Sequence, residues 1–138
     1  MSRKQDPLLG KIFLEHYKLK KKLGEGAFGK IYLANDTNTK EEYAVKLEER
    51  NEDNTSRPFL EIEGYVLSHL EALGIPKMEI YGSSSEYNIL VMELLGQSLE
   101  NLFQAQNKSF SIKTTCMLGI QMIDRIEYIH YKKLIIEM

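Results

Sequence analysis

Apolar and polar positions alternate in short runs over the first half of the chain and then recur at helical spacing. Tyr17 to Leu23 alternates as a strand, Gly24 to Gly29 interrupts it as a turn, and Lys30 to Ala34 alternates again. Asn35 to Lys40 is polar turn chemistry, Glu41 to Leu47 is a third strand, and the charged stretch Glu48 to Pro58 is an exposed loop. From Phe59 to Leu73 the pattern predicts a helix with Phe59, Ile62, Val66, Leu70 and Leu73 on its apolar face, stopped by Gly74 and Pro76. Met78 to Tyr81 and Tyr87 to Met92 are two more strands about a turn at Gly82 to Glu86. Ser98 is placed to cap a short helix through Phe103, and Ser111 a long one through Tyr131.

The long helix changes the picture. Ile112, Cys116, Met117, Leu118, Ile120, Met122, Ile123, Ile126 and Ile129 cover more than one of its faces, which suits a helix inside a larger core. Five or six such side chains left unburied would forfeit on the order of 10 kcal/mol, as much as a whole domain's stability. The expectation is a chain that aggregates or is partly disordered beyond Gly96.

Composition adds bounds. The 138 residues suffice for one domain, and 43% hydrophobic with 28% charged residues is usual for a soluble globular protein. A net charge of −2 gives no reason to expect nucleic acid or a membrane as partner, and no apolar run reaches membrane-spanning length. The lysines at 18, 20, 21 and 22 read as a solvated strand face, with an anion patch as the lesser reading. Cys116 is the single cysteine, so no internal disulfide can form; its apolar helix predicts a buried small hydrophobe. His16, His69 and His130 lack metal-ligand spacing, and no metal ligands are expected. The N-terminus has no secretory pattern, and a monomer in the cytoplasm or nucleus is the expectation.

Candidate chemistry sits in LGEGAFGKIY, Leu23 to Tyr32, followed by YAVK, Tyr43 to Lys46. Gly24, Gly26 and Gly29 allow close backbone approach to phosphates. Phe28 can fold over a reaction centre, Ile31 can pack on a base, and Lys46 supplies a positive charge. A dinucleotide fingerprint would need a helix after the glycines, where this chain alternates as a strand. Gly24 to Lys30 fits GxxxxGK, but Ile31 stands where a P-loop needs Ser or Thr. A glycine hairpin without a ligand stays open on the hairpin alone. A hairpin, then a strand lysine, then a helical carboxylate is the order a protein kinase requires. Glu63 is the best partner for Lys46, with Glu61 and Glu71 as alternatives.

These residues resemble the casein kinase I family of serine/threonine protein kinases, from Tyr17 to Lys133. The similarity is carried by LGEGAFGKIYLA, by Ile62-Glu63 with Pro58 upstream, by Gly74 to Pro76, by VMELLGQSLENLF (Val91 to Phe103) and by QMIDRIEYIH (Gln121 to His130). The resemblance implies an α+β fold: residues 15–96 as a kinase small lobe and hinge, an antiparallel sheet plus helix C, and residues 97–138 as the first two helices of the large lobe, with residues 1–14 as an N-terminal extension. It implies ATP as cofactor, with Gly24, Gly26 and Gly29, and with them Glu25, Ala27, Phe28 and Lys30, covering the phosphates. Lys46 contacts the α- and β-phosphates, held by Glu63. Leu23, Ile31 and Ala44 sandwich adenine, Met92 is the gatekeeper, and the Glu93 carbonyl and Leu95 amide bond the adenine edge. The implied substrates are proteins with acidic or phosphorylated Ser/Thr sites. Magnesium is implied by the family, but its ligands are absent here.

After Tyr-Ile-His the family continues to His-Arg-Asp, whereas here Tyr131 to Ile135 resembles the connector and Ile136-Glu137-Met138 follows. ATA GAG ATG is CAT AGA GAT, a coding of His-Arg-Asp, read one base on. A one-base frameshift in the gene or its sequencing is therefore expected, and the chain as written should be inactive. The alternative is a truncated or pseudokinase remnant that binds nucleotide weakly or binds a partner.

Overall fold

The computed structural model describes residues 6–26, 29–50 and 58–134. The chain forms two compact units, residues 1–68 with 76–94, and residues 69–75 with 95–138.

The first unit is one six-stranded sheet and one helix. β1 is Ile12–Phe13, β2 Tyr17–Gly26, β3 Gly29–Asp36, β4 Glu42–Glu49, β5 Met78–Ser83 and β6 Tyr87–Glu93; α1 is Phe59–Ser68. The sheet order is β1-β2-β3-β4-β6-β5, and every neighbouring pair is antiparallel. Residues opposite one another across such pairs share a face, and the register sorts the side chains cleanly. Tyr32, Val45 and Val91 lie in one row, and Leu47 and Ile89 are paired beside it. Ile31, Lys46 and Leu90 lie in a row on the opposite face, with Leu33, Ala44 and Met92 in the next. Each face is buried by a different piece of chain.

On the first face Leu8, Phe13, Tyr17 and Leu19 join Tyr32, Ala34, Val45, Leu47, Ile89 and Val91 in one core cluster. The segment before Tyr17 therefore belongs to the packing of the sheet, not only to its approach. Leu14 and Glu15 reverse the chain between β1 and β2 at positive φ, 45° and 73°. The Asp6 carboxylate accepts the Tyr32 hydroxyl at 2.8 Å and the Leu8 N–H at 3.0 Å. The Leu8 bond, and after it the Tyr32 bond, hold the Asp6 carboxyl below its ordinary value of 3.8. Burial first, then the bond to Asp6, pushes the Tyr32 phenol well above its ordinary range.

Folding thus favours the ionised form of Asp6. Its contribution is complete above the ordinary carboxylate value and is lost as pH falls through the lower folded value. Asp36, held low chiefly by the Asn38 N–H and also by that of Thr39, has the same sign. Asp6→Asn is expected to flatten the stability–pH curve between about pH 5 and pH 2, leaving the share of Asp36. Denaturant midpoints measured across that range test this; parallel curves for the two proteins would refute it.

On the second face α1 covers Ala44, Leu90 and Met92 with Leu60 and Leu67. The buried positions of α1 are Leu60 and Gly64, whereas Phe59 and Ile62 are exposed, which corrects the predicted apolar face. Gly64 explains the rotation. A Cβ there would meet Leu90 Cδ1 and Tyr81 Cβ at 3.4 Å, so the missing side chain is what brings helix and sheet together. Hydropathy counts large apolar residues and overlooks a glycine used as a contact. The helix also ends at Ser68 rather than Leu73, with the Ser68 hydroxyl donating to the Tyr65 carbonyl at 2.7 Å in the last turn.

The second unit contains α2, Leu99–Ala105, and α3, Ile112–Tyr131. Both caps are as the sequence predicts: Ser98 Oγ accepts from the Asn101 N–H and Ser111 Oγ from the Thr114 N–H, each at 3.1 Å. The Tyr128 hydroxyl accepts the Glu71 N–H at 3.0 Å and donates to the Glu71 carbonyl at 2.9 Å, which ties residues 69–75 to α3. No residue of α2 or α3 is buried. Cys116, expected inside, is exposed. It shares a stripe with exposed Ile112, Ile120 and Ile123, and an apolar stripe is buried only where another element covers it.

Candidate functional site

The site is built on the α1-facing side of the first unit. Gly24 opposes Ile31, which opposes Lys46, so the hairpin and the lysine strand bring these three into one row. β2 and β3 meet at Gly26 and Gly29; Ala27 and Phe28 between them lie outside the described residues. Lys46 Nζ stands 2.5 Å from Glu63 Oε1 on α1. Of the three glutamates considered as its partner, Glu63 makes the pair. Both side chains are partly exposed, so the pair orients the lysine more than it stabilises the fold.

Gly26, Gly29, Lys46, Phe59, Ile62 and Glu63 line a cavity of about 430 Å³. The ion pair thus opens into a space roofed by the hairpin and walled by the first turns of α1. The glycines do different work there. Gly29 sits at φ 122°, and a Cβ on it would lie 2.2 Å from the Leu47 carbonyl oxygen. Over Gly24 and Gly26 a Cβ would meet nothing within 4 Å, so the fold leaves open the space that a phosphate group would approach.

Other residues implied by the resemblance are placed as follows. Ala44 and Met92 oppose each other on the same sheet face, buried in the cluster beneath α1 rather than lining the cavity. Leu23 falls at a register irregularity of β2 and is largely exposed. The Glu25 carboxylate pairs with the Lys22 ammonium. The Lys30 ammonium lies 3.1 Å from Glu49 Oε1, and Lys30 is also among the residues that line the cavity. Glu93 exchanges contacts with Lys77, its N–H donating to the Lys77 carbonyl at 2.8 Å and its carboxylate accepting the Lys77 N–H at 3.1 Å. Leu95 belongs to the second unit, where it opens the segment 95–138, and is exposed.

Two participants escape a reading of the sequence. The Glu48 carboxylate accepts the Phe59 N–H at 3.0 Å and the Leu60 N–H at 3.3 Å, and the Asn88 side-chain amide donates to it at 3.4 Å. A signal exists in hindsight: Pro58, just before α1, offers no side-chain acceptor, so the cap had to come from elsewhere.

A glycine hairpin, a strand lysine and its helical glutamate thus stand together on a six-stranded antiparallel sheet. The family model described as protein kinase domain matches residues 17–137 of the chain. The chain belongs to the protein kinase domain family. The sheet with α1 is the small lobe of that fold, an α+β architecture. Kinases of this family transfer the γ-phosphoryl group of ATP to protein substrates with magnesium as the companion ion. The donor set here fits the first half of that requirement: backbone open to phosphate at Gly24 and Gly26, and an oriented cation at Lys46. Among the described residues no three His, Cys, Asp or Glu side chains gather as a metal site. No described helix of the kinase chain is long and apolar enough to cross a membrane.

Proposed function

We propose that this kinase domain holds ATP by its phosphates beneath the glycine hairpin, in the manner of a serine/threonine kinase of the casein kinase I type. The observation that carries the reading is the Lys46–Glu63 pair opening into the hairpin cavity. ATP, when bound, supplies the phosphoryl group. The Lys46 ammonium neutralises phosphate oxygens, Glu63 keeps it aimed, and Gly24 and Gly26 present N–H groups without side chains in the way. Leu23, Ile31, Ala44, Met92, Glu93 and Leu95 are proposed for the adenine, on the motif resemblance through VMELLGQSLENLF. The same resemblance supports Ser and Thr acceptors in acidic or phosphorylated proteins; a monomeric state and a place in the cytoplasm or nucleus are proposed beside it, on the single cysteine and the N-terminal sequence rather than on the resemblance.

The 138 residues by themselves are proposed to bind nucleotide weakly and to transfer nothing, because the general base and magnesium ligands of transfer are not among them. Titration of the purified chain with MgATP, followed by calorimetry, is expected to give saturable binding weaker than micromolar. Lys46→Met is expected to weaken it about tenfold or more, the loss of a charge-assisted contact. Affinity indifferent to Lys46→Met would overturn the site, and radiolabel transfer to casein, abolished by that substitution, would overturn the proposed inactivity.

A further inference from the structure

We infer that Glu48 is a positioning residue for the Lys46–Glu63 pair. It stands two residues after Lys46 on β4, so strand alternation sends both side chains to the α1 side of the sheet. Lys46 meets the helix at Glu63; Glu48 meets it one turn earlier, at the N–H groups of Phe59 and Leu60. One strand therefore holds one helix at two points. The first-turn N–H groups of a helix have no partners within it, and the positive end of its dipole favours a carboxylate. The carboxylate is itself fixed: Asn88, opposite Glu48 in the β4–β6 register and buried, donates its side-chain amide at 3.4 Å. Release of the Glu48 contact frees the first turn of α1 and lets Glu63 move off Lys46. The consequence for nucleotide affinity rests on the reading of Lys46 as a phosphate contact; the geometric claim does not.

Lysine acylation of the full chain, followed residue by residue in the mass spectrometer, tests this without nucleotide. A paired ammonium is protected, and Glu63→Gln should expose it. Glu48→Ala is expected to raise acylation at Lys46 about fivefold, the fold-change of a lost helix cap, and to leave exposed Lys20 and Lys21 unchanged. In the Glu63→Gln background the same substitution should add nothing at Lys46. Glu48→Gln, which keeps one acceptor oxygen and serves where Glu48→Ala does not fold, should fall between. Unchanged acylation at Lys46 in Glu48→Ala, or an equal increase in the Glu63→Gln background, overturns the inference and leaves Glu48 a structural cap only. Failure to bind MgATP with the acylation pattern intact would instead sink the nucleotide reading.

Discussion

Gly29→Ala is expected to destabilise the sheet unit by about 3 kcal/mol. At φ 122° an L side chain is strained, and its Cβ would lie 2.2 Å from the Leu47 carbonyl oxygen of the neighbouring strand. That oxygen is backbone in the middle of the sheet and cannot turn aside as a flexible side chain could. β3 must therefore shift at its first residue, where it pairs with Gly26 and forms the rim of the cavity. Gly24→Ala and Gly26→Ala meet no atom within 4 Å and are expected to alter stability by no more than about 0.5 kcal/mol. Their effect should appear in MgATP affinity. Urea unfolding of the three variants separates the cases, and a tolerated Gly29→Ala, or equal losses at Gly26 and Gly29, would contradict the assignment.

Leu8→Ala is expected to cost about 2–5 kcal/mol, the range for truncating a buried leucine. Leu8 is 5% exposed and belongs to the same cluster as Tyr32, Val45 and Val91, on the face of the sheet that α1 leaves free. Against a domain stability of about 5–15 kcal/mol the loss is large. The comparison is Leu23→Ala on exposed surface, which should cost little. Equal midpoints for Leu8→Ala and the parent chain would detach residues 6–14 from the core.

Some elements of this kinase domain are legible residue by residue because their causes are local. Alternation marks β2, β3 and β4 within a few residues of their ends, since a half-buried strand needs nothing beyond its own period. Ser98 and Ser111 announce α2 and α3, since a cap acts within one turn. The hairpin, Lys46 and Glu63 stand in the required order along the chain, and the structure joins Lys46 to Glu63. Other features depend on a partner far away in sequence. The buried face of α1 is chosen by Leu90 and Tyr81 beneath Gly64. Its cap comes from Glu48 on a strand. Cys116 is exposed because no described element of its unit covers the stripe it lies on.

By itself the sequence determined which short segments become strands and helices, and it assembled a phosphate-clamp vocabulary of glycines, lysine and glutamate, because periodicity, capping and backbone freedom are properties of neighbouring residues. Only the tertiary structure decided that Gly29 is required by the Leu47 carbonyl while Gly24 and Gly26 are left open, that Leu8 and Phe13 complete a core, and that Glu48 and Lys46 grip the same helix. Each of those is an interaction across the sheet or between sheet and helix. Such interactions are set by register and by the close approach of elements, which no local pattern encodes.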